Sequence, residues 1–418
     1  MEPVDSLFRH ESGRMISVLT RIFGFHNLAL AEDVVQDAFC QALEVWKFRG
    51  LPENPSAWLM ACAQRKAIDV LRRERTAREF APELGRLAES EWTLVPAVEQ
   101  RFAPHTIQDD LLRMMFSCCD PRLKEEAQVA LILHILCGLS VGEVAGALVA
   151  GHAAVEKRIG RAKQVLAGAR GLYEIADERQ VATRLPAVQR ALYLLFNEGY
   201  HGASTQDVIR GELCRDAIRL ARLLQEHPAG DTPATRALIA LMCLHAARLP
   251  SRLDAEGELR SLLDQDRSRW DRALLAEGQQ WLERSATGAE LSDYHLEAAI
   301  AWMHGSARSA EATDWPRIVA LYDQLLAVRP SPVVALNRAI AVAQAEGPER
   351  GLAEIRAIDR VEKLERYPFY PAALAELELR RGHTDVAREH FERAKSLARN
   401  PSERRFFEQR LEACGASG

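Results

Sequence analysis

The chain has 418 residues, a formal net charge of −5 and a hydrophobic fraction of 48%. This length is too great for one ordinary core and predicts two or three domains. The acidic balance excludes a protein that binds nucleic acid through its overall charge, so basic clusters must act locally. We expect a cytoplasmic protein with no membrane contact, since we find no leader sequence and no apolar run long enough to span a bilayer.

The eight cysteines are scattered along the chain and include no CxxC pair. Most of them occur in apolar helical patterns, where a free cysteine behaves as a small core residue. His134 and Cys137 have the spacing of metal ligands, but no second pair completes a zinc site. We therefore expect neither a structural metal nor a cofactor.

The composition favours an all-α fold. Ala, Leu, Arg and Glu dominate, aromatic residues make up only 6%, and no segment alternates with a period of two. The pattern predicts two small helical domains, a linker and a long helical-repeat tail. Their expected limits are 1–79, 80–105, 106–170 and 171–418.

The first eighty residues are predicted to form helices. Apolar residues recur at helical spacing from Val34 to Trp46, and Gly50, Pro52 and Pro55 then interrupt the pattern. The opposite side of this helix is polar and is a candidate protein contact. It carries Glu32, Asp33, Gln36 and Asp37.

A second helix, predicted over Ser56 to Arg78, has an apolar face and a basic face. The basic face carries Gln64, Arg65, Arg72 and Arg75, and Trp58 lies at the start of the helix. An aromatic ring beside a basic helix suits a DNA strand that is being unstacked, because bases stack on rings while cations hold the backbone. The alternative is a solvated basic face with Trp58 in the core.

Residues 80–105 show no clean period and contain Pro82, Pro96 and Pro104, which is typical of a linker. A compact helical unit is predicted over 107–169. Within it, Ser140 and Glu143 form a capping box that predicts a short helix through Leu148.

A turn that contains Gly151 follows, and the next helix is predicted to be apolar on one face and basic on the other. The apolar face carries Val155, Ile159, Ala162 and Leu166. The opposite face carries Lys157, Arg161 and Gln164, and Arg158 and Lys163 lie on its flanks. This pattern is typical of a helix-turn-helix, whose second helix contacts phosphates or base edges in the major groove. The alternative is a solvated basic face on a bundle helix.

The tail is predicted to be helical and repetitive. Helices are expected over Trp315–Val328 and Pro332–Ala345, and the second is expected to end at Glu346 and Gly347. Pro330, Pro368 and Pro401 are spaced 38 and 33 residues apart, close to the tetratricopeptide period of about 34 residues. Such repeats stack into a solenoid with a concave binding face, and the alternative is an irregular bundle.

Two polar groups in the tail could indicate an active or ligand site. Glu198 and His201 could act as an acid–base pair, but we favour a helix C-terminus that Gly199 ends. Asn337 and Arg338 are interpreted as residues that pack one repeat on the next.

Three segments together resemble domains 2 and 4 of the extracytoplasmic-function sigma factors. They are AEDVVQDAF (31–39), NPSAWLMACAQRKAIDVLRRE (54–74) and GLSVGEVAGALVAGHAAVEKRIGRAK (138–163). The resemblance spans roughly residues 5 to 170. It implies a non-enzymatic factor that binds core RNA polymerase, through the β′ clamp and the β flap, and promoter DNA at the −10 and −35 elements.

The resemblance also assigns roles to individual residues. It implies that Asp33, Gln36 and Asp37 dock on the β′ clamp helices. The −10 element would be opened and read by Asn54, Trp58, Gln64, Arg65, Arg72 and Arg73. The −35 element would be read by Lys157, Arg158, Arg161 and Lys163.

The tail resembles the tetratricopeptide-like extension of one subgroup of these factors, which typically lacks an obvious neighbouring anti-sigma factor. The segments that carry this resemblance are 185–204 and 321–355. An unknown signal protein or ligand could bind to this tail. One departure is the turn AGHAAV, which lacks the hydroxyl that often caps the recognition helix. Its loss weakens the start of that helix by about 1 kcal/mol.

Two other classes of protein stay open. A helix-turn-helix regulator with a ligand-binding helical tail would not need the two N-terminal segments. A helical-repeat enzyme would need a convergent polar pocket, for which only Glu198 and His201 are candidates.

Overall fold

The computed structural model describes residues 2–79, 104–148, 150–168, 178–201 and 209–416. Within these ranges the regular structure is helical, apart from an isolated antiparallel β-bridge between Leu253 and Leu259. The predicted all-α fold class is therefore confirmed. The chain forms two compact units, Met1–Leu195 and Phe196–Gly418.

The first unit contains seven described α-helices and the first part of an eighth. Their bounds are α1 Glu2–Phe23, α2 Leu28–Arg49, α3 Pro55–Glu79, α4 Pro104–Cys118, α5 Glu125–Leu131, α6 Val141–Ala147, α7 His152–Ala167 and α8 Glu178–His201. A 3-10 turn, Phe25–Asn27, precedes α2, and a π-helical segment, Ile132–Leu136, continues α5. The second predicted helix of the chain, expected over Ser56 to Arg78, matches α3 to within one residue at each end.

Helix α1 packs against α2 and α3 and also against α4 and the π-helical segment. Gly13 permits this approach, because a Cβ atom there would lie 2.1 Å from the carbonyl oxygen of Leu136. Arg21 Nη1 adds an ion pair to the buried Asp110, at 2.5 Å. Residues on both sides of the 80–105 segment therefore share one core.

The second unit contains the end of α8 and ten further α-helices among its described residues. Their bounds are α9 Gly211–Glu226, α10 Pro233–Ala246, α11 Arg272–Ser285, α12 Asp293–Ser306, α13 Trp315–Val328, α14 Pro332–Glu346, α15 Pro348–Arg356, α16 Phe369–Arg380, α17 Thr384–Ser396 and α18 Pro401–Ala416. Short 3-10 turns are Leu249–Ser251, Arg267–Arg269 and Val361–Leu364.

Each helix of the last hundred residues packs against its neighbours in the chain. One apolar cluster, which includes Ile300 and Leu321, joins α12, α13 and α14. A cluster around Leu352 joins α14, α15 and α16, and one around Phe391 joins α16, α17 and α18. The predicted helices Trp315–Val328 and Pro332–Ala345 are confirmed. Gly347 ends α14, with φ +101°, as its position predicted.

The predicted end of α8 was wrong. The helix continues through His201, so Gly199 does not terminate it. A Cβ atom at Gly199 would lie 2.8 Å from the carbonyl oxygen of Arg210 and 2.9 Å from the amide nitrogen of Cys214. Because Gly199 has no side chain, the start of α9 can pack closely against α8. In the described part of the chain, no helix has both the length and the apolar content to cross a bilayer.

Candidate nucleic-acid interface

A capping box fixes the start of α6. Ser140 Oγ accepts a hydrogen bond from the Glu143 amide at 3.2 Å, and the Ser140 amide donates to Glu143 Oε2 at 2.7 Å. These bonds satisfy two backbone donors that the first turn of a helix leaves unpaired. The predicted box is confirmed, and it holds the helix that precedes α7.

Helix α7 is amphipathic in the predicted register. The four residues of its apolar face are at most 4% exposed: Val155, Ile159, Ala162 and Leu166. Lys157 and Arg161 are exposed on the other side, and Arg158 is half-buried. The N-cap is Gly151, which makes no side-chain hydrogen bond, so the expected weak start is confirmed. Exposed cations on a packed helix are free to contact a phosphate or a base edge.

Lys163 differs from the other basic residues of α7. Its Nζ atom lies 2.7 Å from both carboxylate oxygens of Glu32 on α2, and both side chains are largely covered. The basic helix is thus tied to the acidic helix by a bidentate ion pair. Lys163 is therefore engaged by Glu32 and is less accessible than Lys157 and Arg161.

The acidic side of α2 is accessible. Asp33, Gln36 and Asp37 are exposed, while Val34 and Ala38 face the core. Asp37 Oδ2 accepts a hydrogen bond from Lys66 Nζ on α3 at 3.2 Å. An exposed pair of this kind contributes at most about 1 kcal/mol, so it does not prevent Asp37 from meeting another partner.

The N-terminal turn of α3 carries several of the residues expected to meet the −10 element. Asn54 Oδ1 accepts a hydrogen bond from the Ala57 amide at 3.0 Å and so caps the helix. Trp58 is half-buried and packs edge-on against Trp46, with ring centroids 5.4 Å apart. Part of the indole is therefore core, as the alternative interpretation held, and part stays accessible.

The remaining candidates follow along α3. Gln64 is half-buried and Arg65 is exposed, with Arg65 Nε donating to the carbonyl oxygen of Ala61 at 3.3 Å. The side chains of Arg72 and Arg73 lie outside the described residues. The first three turns of α3 thus present a partly accessible ring and one exposed cationic group on the same helix.

An exposed apolar patch near the end of α2 was missed by the sequence interpretation. Leu43 is 52% exposed, Phe48 84% and Leu51 57%. Leu43 had been placed in the apolar pattern of the helix, but it lies outside the face that Ala42 and Trp46 bury. A group of large exposed apolar side chains marks a partner surface. Phe48 follows the buried Trp46 by two residues, which places it on roughly the opposite side of the helix, and this spacing was the available signal.

The polar groups of the tail do not form an acid–base pair. Glu198 Oε1 binds Arg210 Nη2 at 2.6 Å, and both side chains are about 95% buried. The Glu198 carboxylate, which an acid–base mechanism would need, is therefore held in an ion pair with Arg210. Arg338 bridges Asp323 and Glu354, which supports its interpretation as a residue that packs neighbouring helices.

Two family models match the chain. Residues 7–77 match sigma-70 region 2, and residues 184–286 match a family of unknown function, DUF6596. An uncharacterized protein of Rhizobium meliloti (strain 1021) is 38% identical over 395 residues, which cover 94% of this chain and 92% of the relative. No solved structure matches the chain.

Proposed function

The chain belongs to one family with the uncharacterized Rhizobium meliloti protein. Because residues 7–77 match sigma-70 region 2, we propose that the chain is a sigma factor of the extracytoplasmic-function type. It binds core RNA polymerase, directs it to −10 and −35 elements and leaves the chemistry to the polymerase. Residues 1–79 act as domain 2, 106–170 as domain 4, and 171–418 as a regulatory tetratricopeptide-like region. The observation that carries the proposal is a region 2 match in the same unit as two successive helices, α6 and α7, of which α7 presents exposed basic residues.

The acidic side of α2 is the proposed contact with the β′ clamp. Asp33, Gln36 and Asp37 are exposed on one side of a helix whose other side is core. Leu43 and Phe48 lie farther along the same helix and add exposed apolar surface, whose burial against a partner is favourable. Charged groups around an apolar patch are typical of a protein interface, in which charge selects the partner and apolar area gives affinity.

The start of α3 is the proposed contact with the −10 element. Asn54, Trp58, Gln64 and Arg65 lie along its first three turns, and Arg72 and Arg73 follow in the sequence. A partly accessible indole can stack on an unpaired base while arginines hold the backbone.

Helix α7 is the proposed reader of the −35 element, through Lys157, Arg158, Arg161 and Lys163. Arg161 is exposed, so Arg161→Ala creates no cavity. We expect the substitution to weaken promoter binding by about 1–3 kcal/mol and to relax specificity at one −35 position, as loss of a base contact does. Binding to a set of −35 duplexes with single substitutions measures both effects.

Arg190→Ala is the matched control for Arg161→Ala, since Arg190 is also an exposed arginine but lies on α8, outside the proposed DNA contact. A uniform loss of affinity with a smaller salt dependence would instead assign Arg161 to a phosphate. Promoter binding equal to that of the unsubstituted protein would remove Arg161 from the interface.

The ion pair between Lys163 and Glu32 restrains α7. We expect Glu32→Gln to raise the affinity of the isolated protein for a −35 duplex about two- to fivefold. The reason is that a partly exposed ion pair contributes at most about 1 kcal/mol, and the variant no longer has to break it. Fluorescence anisotropy with a labelled duplex measures the change.

Lys163→Met separates the two effects of that ion pair. It removes both the restraint and the proposed DNA contact, so its affinity should fall below that of Glu32→Gln. If Glu32→Gln binds the duplex more weakly than the unsubstituted protein, the ion pair does not restrain α7.

A direct test of the proposed function combines the protein with purified core polymerase. Co-purification, followed by run-off transcription that core polymerase alone does not support, is the expected result. A protein that binds DNA but not core polymerase would instead be a helix-turn-helix regulator. The region 2 match disfavours that second function, since such a regulator would not need it.

A further inference from the structure

The second unit contains a cluster of cationic and aromatic side chains close to the end of α8, which we call the arginine–histidine cluster. Its members are Tyr200, His245, Arg248, Arg252, Arg267 and His304. The Arg252 guanidinium lies 4.0 Å from the centre of the Tyr200 ring. The rings of Tyr200 and His245 are 5.3 Å apart. Residues from α8, α10, α12 and the intervening loops therefore meet at one place.

Two of the arginines share one indole ring. Arg248 lies 5.7 Å and Arg267 5.0 Å from the ring centre of Trp270, which is buried and donates its Nε1 hydrogen to Ser251 Oγ at 2.8 Å. Burial lowers the pKa of both guanidinium groups. The charge of Arg248 lowers the pKa of Arg267 further, and the charge of the Glu311 carboxylate partly opposes this effect. The fold thus places two positively charged groups against the same buried indole ring.

The hydrogen-bond partners of these arginines are neutral. Arg248 Nε donates to Gln265 Oε1 at 3.2 Å, Arg252 Nη1 to the carbonyl oxygen of Tyr200 at 2.7 Å, and Arg267 Nη1 to that of His304 at 2.7 Å. Across the described residues, no carboxylate lies within 4.0 Å of any of the three guanidinium groups. The buried Arg210, in contrast, has Glu198 as its counter-ion.

Several polar atoms of the cluster are buried without a hydrogen-bond partner. They are Tyr200 Oη, His245 Nδ1, Arg252 Nε and His304 Nδ1. Tyr200 is 3% exposed and His304 7%. Burial, and then the charge of Arg248, lower the pKa of both His245 and His304 to about 3, so both rings are neutral at pH 7 and add no charge of their own. Native proteins seldom leave so many buried groups unsatisfied in one place.

We propose that the arginine–histidine cluster binds a small ligand through an oxyanion, either a phosphate or a carboxylate group. A buried cation without a counter-ion is costly, and an oxyanion supplies both the missing charge and the acceptors. Guanidinium groups match phosphate and carboxylate in geometry and can bind them through two parallel hydrogen bonds. The site is separate from the proposed promoter contacts and gives the second unit a means of sensing a metabolite.

The test measures the thermal unfolding of the full chain in inorganic phosphate, and separately in succinate, each against chloride at equal ionic strength. A ligand that binds the folded state raises the unfolding temperature. The rise is roughly 5–10 °C at a concentration about 100 times the dissociation constant. The oxyanion that produces this rise identifies the ligand group, and no polymerase or DNA enters the measurement.

Arg248→Met and Arg252→Gln are the test variants. We expect both to lose the oxyanion-dependent rise. Arg248→Met should also unfold at a higher temperature than the unsubstituted protein in chloride, since it removes an uncompensated buried charge. Arg284→Met is the matched control: Arg284 lies 4.3 Å from the Trp281 ring, but it is exposed. It should keep the full response, and it reports the general stabilisation that phosphate gives to any fold.

Two results would overturn the proposal. One is the absence of a rise beyond that general effect in both phosphate and succinate. The other is an equal rise in unfolding temperature for the unsubstituted protein and for Arg252→Gln. The Arg252→Gln measurement decides the question even if Arg248→Met does not fold.

Discussion

Asp33→Lys combined with Asp37→Lys is expected to abolish the binding of core RNA polymerase while the protein keeps its fold. The two carboxylates lie one helical turn apart on the exposed side of α2, so they can act on the same partner surface. Removing one partner of a buried interfacial charge pair costs about 2–5 kcal/mol. Reversal of two charges should therefore weaken holoenzyme formation at least about 100-fold, as measured by co-purification and by competition with unsubstituted protein.

The fold should tolerate this double substitution. Asp33 is exposed, and the pair of Asp37 with Lys66 is a surface contact that contributes little. Circular dichroism and thermal unfolding should match those of the unsubstituted protein to within a few degrees.

Glu408→Lys with Glu412→Lys is the matched control for this experiment. These residues are also exposed acids one turn apart, on α18, and the change in net charge is the same. The control should form holoenzyme normally. Equal holoenzyme formation by both double variants would remove the assignment of the acidic side of α2 to the polymerase.

Ending the chain after Leu195 is expected to lower promoter-dependent transcription about 5- to 150-fold, the range of typical coupling free energies between two sites. We propose that the tail braces the polymerase-competent arrangement of the first unit. The tail is covalently attached at all times, and the subgroup that the sequence resembles usually lacks a separate inhibitor. A promoter-reporter assay measures the loss.

The position of the cut matters. Ending the chain near Gly171 would remove α8 from the first unit, where Arg184 Nη1 donates to the carbonyl oxygen of Phe116 at 3.0 Å and Val188 is fully buried. Ending after Leu195 retains these contacts, because the first unit extends to that residue. Circular dichroism on the shortened protein is the necessary control.

The opposite outcome has a clear meaning. If the folded, shortened protein transcribes as much as the full chain or more, the tail is dispensable or inhibitory and the bracing proposal fails. Adding residues 196–418 as a separate chain provides a second measurement. Partial recovery of transcription would indicate that the tail acts by contacting other parts of the complex and not by changing the amount of the shortened protein.

Local features of this protein could be predicted from the sequence. The capping box of Ser140 and Glu143, the apolar face of α7 and the glycine that ends α14 depend on residues within a few turns of one another. Side chains three and four positions apart meet on any helix, whatever else the chain does. The sequence also predicted the all-α fold class and the exposure of Asp33, Gln36, Asp37 and Arg161, because helical periodicity separates buried from exposed positions.

Other features depended on the tertiary structure. Lys163 looked like one of four equivalent cations, but it binds Glu32, which lies 131 positions earlier in the chain. Leu43 matched an apolar pattern, yet it is 52% exposed. Gly199 looked like a helix end because a glycine in a sequence does not reveal whether it permits a turn or a close approach. No sequence pattern singled out the arginines at 248, 252 and 267. Whether a charge has a counter-ion is decided by distances between remote parts of the chain, and only packing sets those distances.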